Sequence, residues 1–153
     1  MDFKNLITEF GKSAGLDQLT VTEDGTCAIR FDDRITLNIE RDAVKDVTHL
    51  YVVLANAEQS LSAEKMRMML CGNLFGHDTG GATLALDDNQ REIVLCRYLD
   101  FDIPDVATLT KIIEKLAQSA DQWIEKLDKA TATKPQSSAS KTASPFPNHF
   151  QTA

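Results

Sequence analysis

The chain has 153 residues, 16 Lys and Arg against 23 Asp and Glu, and a formal net charge of −7. With 42% apolar residues it is long enough to build one core without disulfides or metal. The charge is uneven. Residues 129–153 hold Lys129, Lys134 and Lys141 and no acid, so the body over residues 1–128 is more acidic than the total suggests. An acidic body repels phosphate backbones and anionic lipid, which argues against nucleic-acid and membrane-surface binding. No apolar run approaches the ~20 residues that span a bilayer, so no membrane insertion is expected. The opening Met1-Asp2-Phe3-Lys4-Asn5 has no basic region followed by an apolar stretch, so no signal peptide is expected. Cys27, Cys71 and Cys96 are an odd set at unrelated spacings. They read as reduced core residues of a cytoplasmic protein.

Phe3, Leu6, Ile7, Phe10 and Ala14 fall on one face of a helix, which Gly15 ends by taking a left-handed conformation. Gly11 inside that helix costs about 1 kcal/mol relative to Ala unless another backbone comes close. Leu19 and Val21 then alternate with polar residues up to the Asp24-Gly25 turn signal. Cys27, Ile29 and Phe31 alternate again, as do Ile35, Leu37 and Ile39 after the Asp32-Asp33 turn. Leu50 to Leu54 run without alternation, as in a strand covered on both faces. Four strands are therefore expected before the next helix, with the fourth optional in an order α-β-β-β(-β)-α-β-β-α.

Ser62 is a preferred N-cap for that helix, with Glu64 in its first turn. Met66, Met69, Leu70 and Leu74 form one apolar stripe, and Met68, Cys71 and Phe75 another. A helix apolar on two sides needs two partners, its own sheet and a second protomer. Residues 76–81 form a Gly-rich loop, and two strands follow around Thr83–Asp87 and Glu92–Leu99. A last helix begins near Pro104. It carries Leu109, Ile112, Ile113, Leu116, Ala120, Trp123, Ile124 and Leu127 at helical spacing. Residues 129–153 are mostly Ala, Ser, Thr, Lys and Pro without apolar periodicity, the composition of a disordered tail. Phe146-Pro147-Asn148-His149-Phe150 is its one sticky stretch. The domain thus covers residues 1–128, and the fold class is α+β.

Catalytic and metal-binding patterns are weak throughout. Gly11-Lys12-Ser13 ends like a phosphate-binding loop but has Leu6 where that motif needs Gly. The Gly76–Gly81 loop precedes a strand instead of opening a helix, and Asp78 would repel phosphate. His49, His77 and His149 have no metal-ligand spacing. The paired carboxylates Asp32-Asp33 and Asp87-Asp88 sit in turns, where solvated Asp is ordinary. No enzyme, no cofactor and no metal are expected.

The element order, the small size and the acidity resemble the class I type III secretion chaperones, the CesT or Tir-chaperone family. The resemblance covers roughly residues 3–128. It is carried best by Asn73-Leu74-Phe75 closing the second helix and by Gly80-Gly81-Ala82-Thr83-Leu84-Ala85-Leu86-Asp87. It implies an antiparallel twisted sheet with helices packed on it, in a homodimer. It also implies a cytoplasmic partner of secreted effectors that holds their N-terminal segment soluble and hands it to the secretion ATPase. An extended client would add to a strand edge and insert side chains into grooves. The candidates for client contact are Phe3, Ile7, Phe10, Ile35, Leu37 and Ile39, some of which must be core. The candidates for the dimer contact are Met68, Met69, Cys71, Leu74 and Phe75. Two rival readings are a regulator of the same fold that sequesters a regulatory protein, and a small enzyme using His77 and Asp78.

Overall fold

A computed structural model describes residues 2–100 and 103–132. The elements are α1 (Phe3–Ser13), β1 (Thr26–Phe31), β2 (Ile35–Asp42), β3 (Val47–Asn56), a four-residue helix α2 (Ala57–Ser60) and α3 (Ala63–Asn73). After a 3-10 turn at Leu74–Gly76 come β4 (Thr83–Asp87), β5 (Glu92–Leu99) and α4 (Val106–Ala132). All strand pairs are antiparallel, in the order β1-β2-β3-β5-β4. The expected α+β class holds. Three strands, not four, precede the second half.

The segment expected as a first strand is not one. Leu19 and Val21 pack partly buried against the core without sheet pairing. The reason lies in α1. Gly15 has φ +71°, and the Leu16 and Gly15 N–H groups reach back to the Gly11 and Lys12 carbonyls at 2.7 and 3.3 Å. This is a Schellman closure, which turns the chain back under the helix. A Cβ on Gly11 would sit 2.9 Å from the Leu16 carbonyl oxygen and 3.2 Å from Leu19 Cβ. The glycine is there for that close return.

All helices that touch the sheet lie on one face. Leu37, Ile39, Leu50, Val52, Ile93 and Leu95 point into that face and are fully buried. They meet Leu6, Ile7 and Phe10 of α1 and Leu109, Ile113, Leu116 and Trp123 of α4 in one cluster. Each such side chain contributes about 1.5–3 kcal/mol by leaving water. Among the described residues no element covers the opposite face, which corrects the reading of β3. Leu50, Val52 and Leu54 are buried, whereas Val53 is exposed and His49 and Tyr51 half-exposed. The run is continuous because Tyr51 and Val53 meet Cys96 and Val94 across the β3–β5 pair.

Helix α4 carries the stripe expected of it, and every member but Ile124 is buried. The Asp105 carboxylate caps it by accepting from the Thr108 N–H at 2.7 Å. That bond holds the Asp105 carboxyl below its ordinary pKa. The helix runs to Ala132, four residues past the expected boundary at 128. Residues 133–153, the bulk of the expected disordered tail, lie outside the described residues.

Trp123 locks α3 against α4. A Cβ on Gly72 would lie 2.3 Å from Trp123 Cζ2, so only glycine lets the indole seat there. Gly72→Ala is expected to cost about 1–3 kcal/mol by overpacking. Urea unfolding followed through the fluorescence of Trp123, the only Trp, would show an earlier midpoint; an unchanged midpoint would contradict this packing.

Candidate functional site: a strand edge and an apolar helix face

Neither feature of interest is a reaction centre. The first is the outer edge of β1. The Arg41 N–H donates to the Gly25 carbonyl, which fixes the alternation along the β1–β2 pair. Residues 25, 27, 29 and 31 bond inward to β2, and 26, 28 and 30 present their backbone groups outward. At Thr26 that edge is closed by Thr22, whose N–H donates to the Thr26 carbonyl at 2.9 Å. Among the described residues, no backbone group meets the outward N–H and C=O of Ala28 and Arg30. Beside them lies a groove of about 380 Å³ of mixed character, walled by Leu16, Leu19 and Ile29 with Gln18, Thr20 and Arg30. An edge with free donors and acceptors over a groove is the geometry that accepts an added strand.

The opposite edge of the sheet is capped at one position. Asn73, the last residue of α3, receives the Leu84 N–H on Oδ1 at 2.8 Å and donates from Nδ2 to the Leu84 carbonyl at 3.0 Å. Its carboxamide thus stands in for one residue of a neighbouring strand. This is the physical reason for the Asn in Asn73-Leu74-Phe75.

The second feature is the outward face of α3. Ser62 caps the helix by accepting from the Lys65 N–H at 3.2 Å, as its residue type suggests. Lys65, Met69 and Gly72 face inward. Met66, Leu70 and Leu74 form the outward stripe at i, i+4 and i+8, exposed by 45, 72 and 60%. With Ala63, Arg67 and Cys71 they line a shallow depression of about 600 Å³. Phe75 follows at 88% exposure and φ +54°, a left-handed conformation unusual for an aromatic residue. The Asn73 clamp and the Gly76–Gly81 loop on α4 hold it there.

Most of the residues expected to contact a client lie in the core. Ile7, Phe10, Ile35, Leu37 and Ile39 are all buried in the core, and Phe3 is partly buried against it. The alternation of Ile35, Leu37 and Ile39 marks the helix-covered face of the sheet, and Ile7 and Phe10 belong to the face of α1 that covers it. The dimer set divides. Cys71, Leu74 and Phe75 are exposed, Met68 is half-buried against the core, and Met69 is core. Met66 and Leu70 belong to the outward stripe and were absent from the set, although their spacing from Leu74 could have shown it.

The three thiols also differ. Cys27 is buried, and burial pushes its pKa up to about 11. Cys96 is half-buried on the open sheet face, and Cys71 is exposed, contrary to the expectation of three core cysteines. On the same open face the Tyr51 hydroxyl donates to Glu40 at 2.7 Å. Burial and the Glu40 carboxylate raise the Tyr51 pKa to about 12.

The patterns that weakly suggest chemistry have structural roles. Lys12 pairs with Glu9, and the Ser13 hydroxyl donates to the Phe10 carbonyl inside α1. The Asp78 carbonyl accepts from Trp123 Nε1 at 2.9 Å, and the His77 ring meets the edge of Phe75. Thr79 is buried and donates to the Ala82 carbonyl. The loop therefore serves as a helix-to-strand turn on α4. Among the described residues, no group of three His, Cys, Asp or Glu is placed to hold a metal, and no helix is long and apolar enough to cross a membrane.

The sequence profile of the Tir chaperone protein (CesT) family matches residues 5–124. The chain belongs to that family. The match ends within α4 and contains both the β1 edge and the outward face of α3. The CesT-family fold is also found by structural comparison. A chain of the HopA1–SchA chaperone–effector complex superposes with a TM-score of 0.68 at 21% identity, covering 80% of this chain and 93% of that one. A chain of the ExsC–ExsE complex gives 0.69 at 18%, covering 83% and 97%. A chain of the heterodimeric ExoU–SpcU complex from the type III secretion system of Pseudomonas aeruginosa gives 0.61 at 18%, covering 82% and 98%. A search of curated protein sequences finds no match.

The Asn73 clamp makes a direct prediction. Asn73→Ala leaves the Leu84 N–H and C=O without their partner, at about 1–3 kcal/mol for each group that stays out of water. Hydrogen exchange at the Leu84 amide should accelerate by at least tenfold, and the amides of β1 should not respond.

Proposed function

We propose that this CesT-family protein is a cytoplasmic, non-enzymatic chaperone for type III secretion. It binds an extended N-terminal segment of one or more secreted effectors and keeps it soluble and competent for export. The observation that carries this reading is the free outer edge of β1 beside its groove. A structural neighbour described as a chaperone–effector complex, HopA1–SchA, supports it. The client strand pairs with the outward groups of Ala28 and Arg30 and inserts alternate apolar side chains beside Leu16 and Leu19. Affinity comes from backbone bonds, which every sequence can make, and selectivity from the groove.

Proline at position 28 tests the edge selectively. Ala28 points its N–H away from β2, so Ala28→Pro removes an outward donor and leaves the β1–β2 bonds in place, as edge strands tolerate. One such bond contributes about 0.5–1.5 kcal/mol, so client affinity should fall by roughly threefold to tenfold at unchanged thermal stability. The client is first identified by mass spectrometry of what co-purifies from the native host. Retention of full affinity by a folded Ala28→Pro protein would exclude this edge.

The outward face of α3 supports a homodimer. Burying Met66, Leu70 and Leu74 against a second copy removes three exposed apolar side chains per protomer from water, at about 1.5–3 kcal/mol for each one fully covered. Leu70→Asp should give a folded monomer in light scattering at micromolar concentration, with Cys71 alkylated faster than in the wild type. Met69→Ala should instead destabilise the fold by about 2–5 kcal/mol and leave the assembly state of the folded fraction unchanged. A wild-type monomer would refute the dimer.

A further inference from the structure

The sheet face away from the helices carries a patch of definite chemistry. Alternation places Tyr51 and Val53 of β3 there beside Val94, Cys96 and Tyr98 of β5, and no described element covers them. Tyr98 is 58% exposed, and its ring tilts against that of His49 with centroids 5.5 Å apart. Contiguous apolar and aromatic surface left in water marks an interaction site when polar residues rim it. Here the rim is acidic. On one side Glu40 accepts from the Tyr51 hydroxyl. On the other, Asp87 and Glu92 stand directly opposite each other across the β4–β5 pair. Burial, and then the carboxylates of Glu40, Glu92 and Asp87, raise the Tyr51 pKa, so the field of the rim reaches the aromatic centre. Among the described residues, no Lys or Arg pairs with any of these three acids.

Like charges set opposite each other on neighbouring strands oppose sheet formation. Asp87 has a local reason to be there, because its carboxylate accepts from the Asn89 and Gln90 N–H groups in the turn. Glu92 has no such bond among the described residues. Of the strand residues on this face, Arg30 is the one Lys or Arg, at the far edge on β1 and paired with Asp33 at 3.0 Å. The face does not suit a second copy of itself, since that contact would set acid against acid. It is also a different surface from α3, which packs on the helix side of the sheet, where Gly72 lies against Leu84. We propose that this face docks a partner protein that presents Arg side chains around an aliphatic contact. The guanidinium groups meet Glu40 and Glu92, one of them lies over the Tyr98 ring, and the aliphatic side chains cover Val53 and Val94. Stacking on an aromatic face and forked bonds to carboxylate both favour Arg over Lys. The site is separate from the β1 edge, so a client strand and this partner are held at once.

The test uses the full chain, labelled with 15N, and two short synthetic peptides that share the same Leu residues. One carries Arg at the positions where the other carries Glu. The Arg peptide should shift the amides of Tyr51, Val94 and Tyr98 and leave those of Ala28, Arg30 and Leu70 in place; the Glu peptide should shift none of them. Tyr98→Ala should weaken the Arg peptide by roughly twofold to fivefold. Glu92→Gln should weaken it by a similar factor, and the effect should shrink when NaCl is raised from about 0.05 to about 0.5 M. The same Glu92→Gln change should move the urea midpoint of the free protein upward, because it removes the opposition to Asp87. Amides of this face that ignore the Arg peptide would overturn the proposal, as would wild-type affinity in Glu92→Gln. A lower urea midpoint in Glu92→Gln would also overturn it, by assigning that carboxylate to the fold. Shifts confined to Ala28 and Arg30 would place the peptide on the β1 edge, which supports the client reading and overturns this one.

Discussion

The contact between Trp123 and Gly72 decides which surfaces this molecule can offer. Trp123 is the largest side chain that is fully buried, and its ring occupies the space a Cβ would need on α3. Its Nε1 donates to the Asp78 carbonyl, so the same residue also positions the loop after α3. With Gly72 turned inward, Met69 and Lys65 turn inward with it, because they lie on the same helical face. Met66, Leu70 and Leu74 are then forced outward whatever their apolar character. The apolar outward stripe is thus a consequence of one helix–helix contact made elsewhere.

Much of the framework was legible from residue order alone. Eight apolar residues at helical spacing defined α4, and strict alternation defined β1 and β2, because periodicity over many residues has few other solutions. The failures share a cause. Helix α3 is apolar around much of its circumference, so its pattern does not say which stripe is core; that is set by Trp123, 51 residues away in the chain. Leu19 and Val21 alternate over too few positions to separate a strand from a return segment packed under α1. Ile35, Leu37 and Ile39 looked available to a client because alternation identifies an apolar face without saying whether helices cover it. The β1 groove had no sequence signal of its own, since being an edge is a property of strand order. Arg30 and Ala28 matter for their backbone, and a backbone carries no residue-type signature.

Charge and apolar exposure are connected. The described body carries most of the acidic side chains, and its exposed ion pairs, such as Arg34–Asp121 at 3.1 Å, are solvated surface contacts worth little to stability. Their value lies in solubility. A protein that presents Leu70, Leu74 and Phe75 to solvent needs net charge to suppress indiscriminate association. The acidity read first as excluding nucleic acid is also what makes such an apolar display compatible with a dispersed protein.

The two edges of the sheet bring these arguments together. A five-stranded open sheet has two rows of unpaired backbone groups, and each is a hazard unless blunted. At β4 Asn73 blunts the hazard at one position, satisfying both groups of Leu84 with a single carboxamide. At β1 the blunting stops at Thr26, where the Thr22 backbone and hydroxyl close the first position and leave Ala28 and Arg30 uncovered. Each edge is thus blunted at its first outward position, β4 by a side chain and β1 by the Thr22 segment, and β1 continues beside a groove. Had avoidance of edge pairing been the sole constraint, the return segment that reaches Thr22 would extend two residues further along β1. Its divergence at that point creates the groove between Leu16, Leu19 and Ile29. Edge and groove therefore have a single structural origin, the Schellman turn at Gly15 that sends the chain under α1 before it enters the sheet.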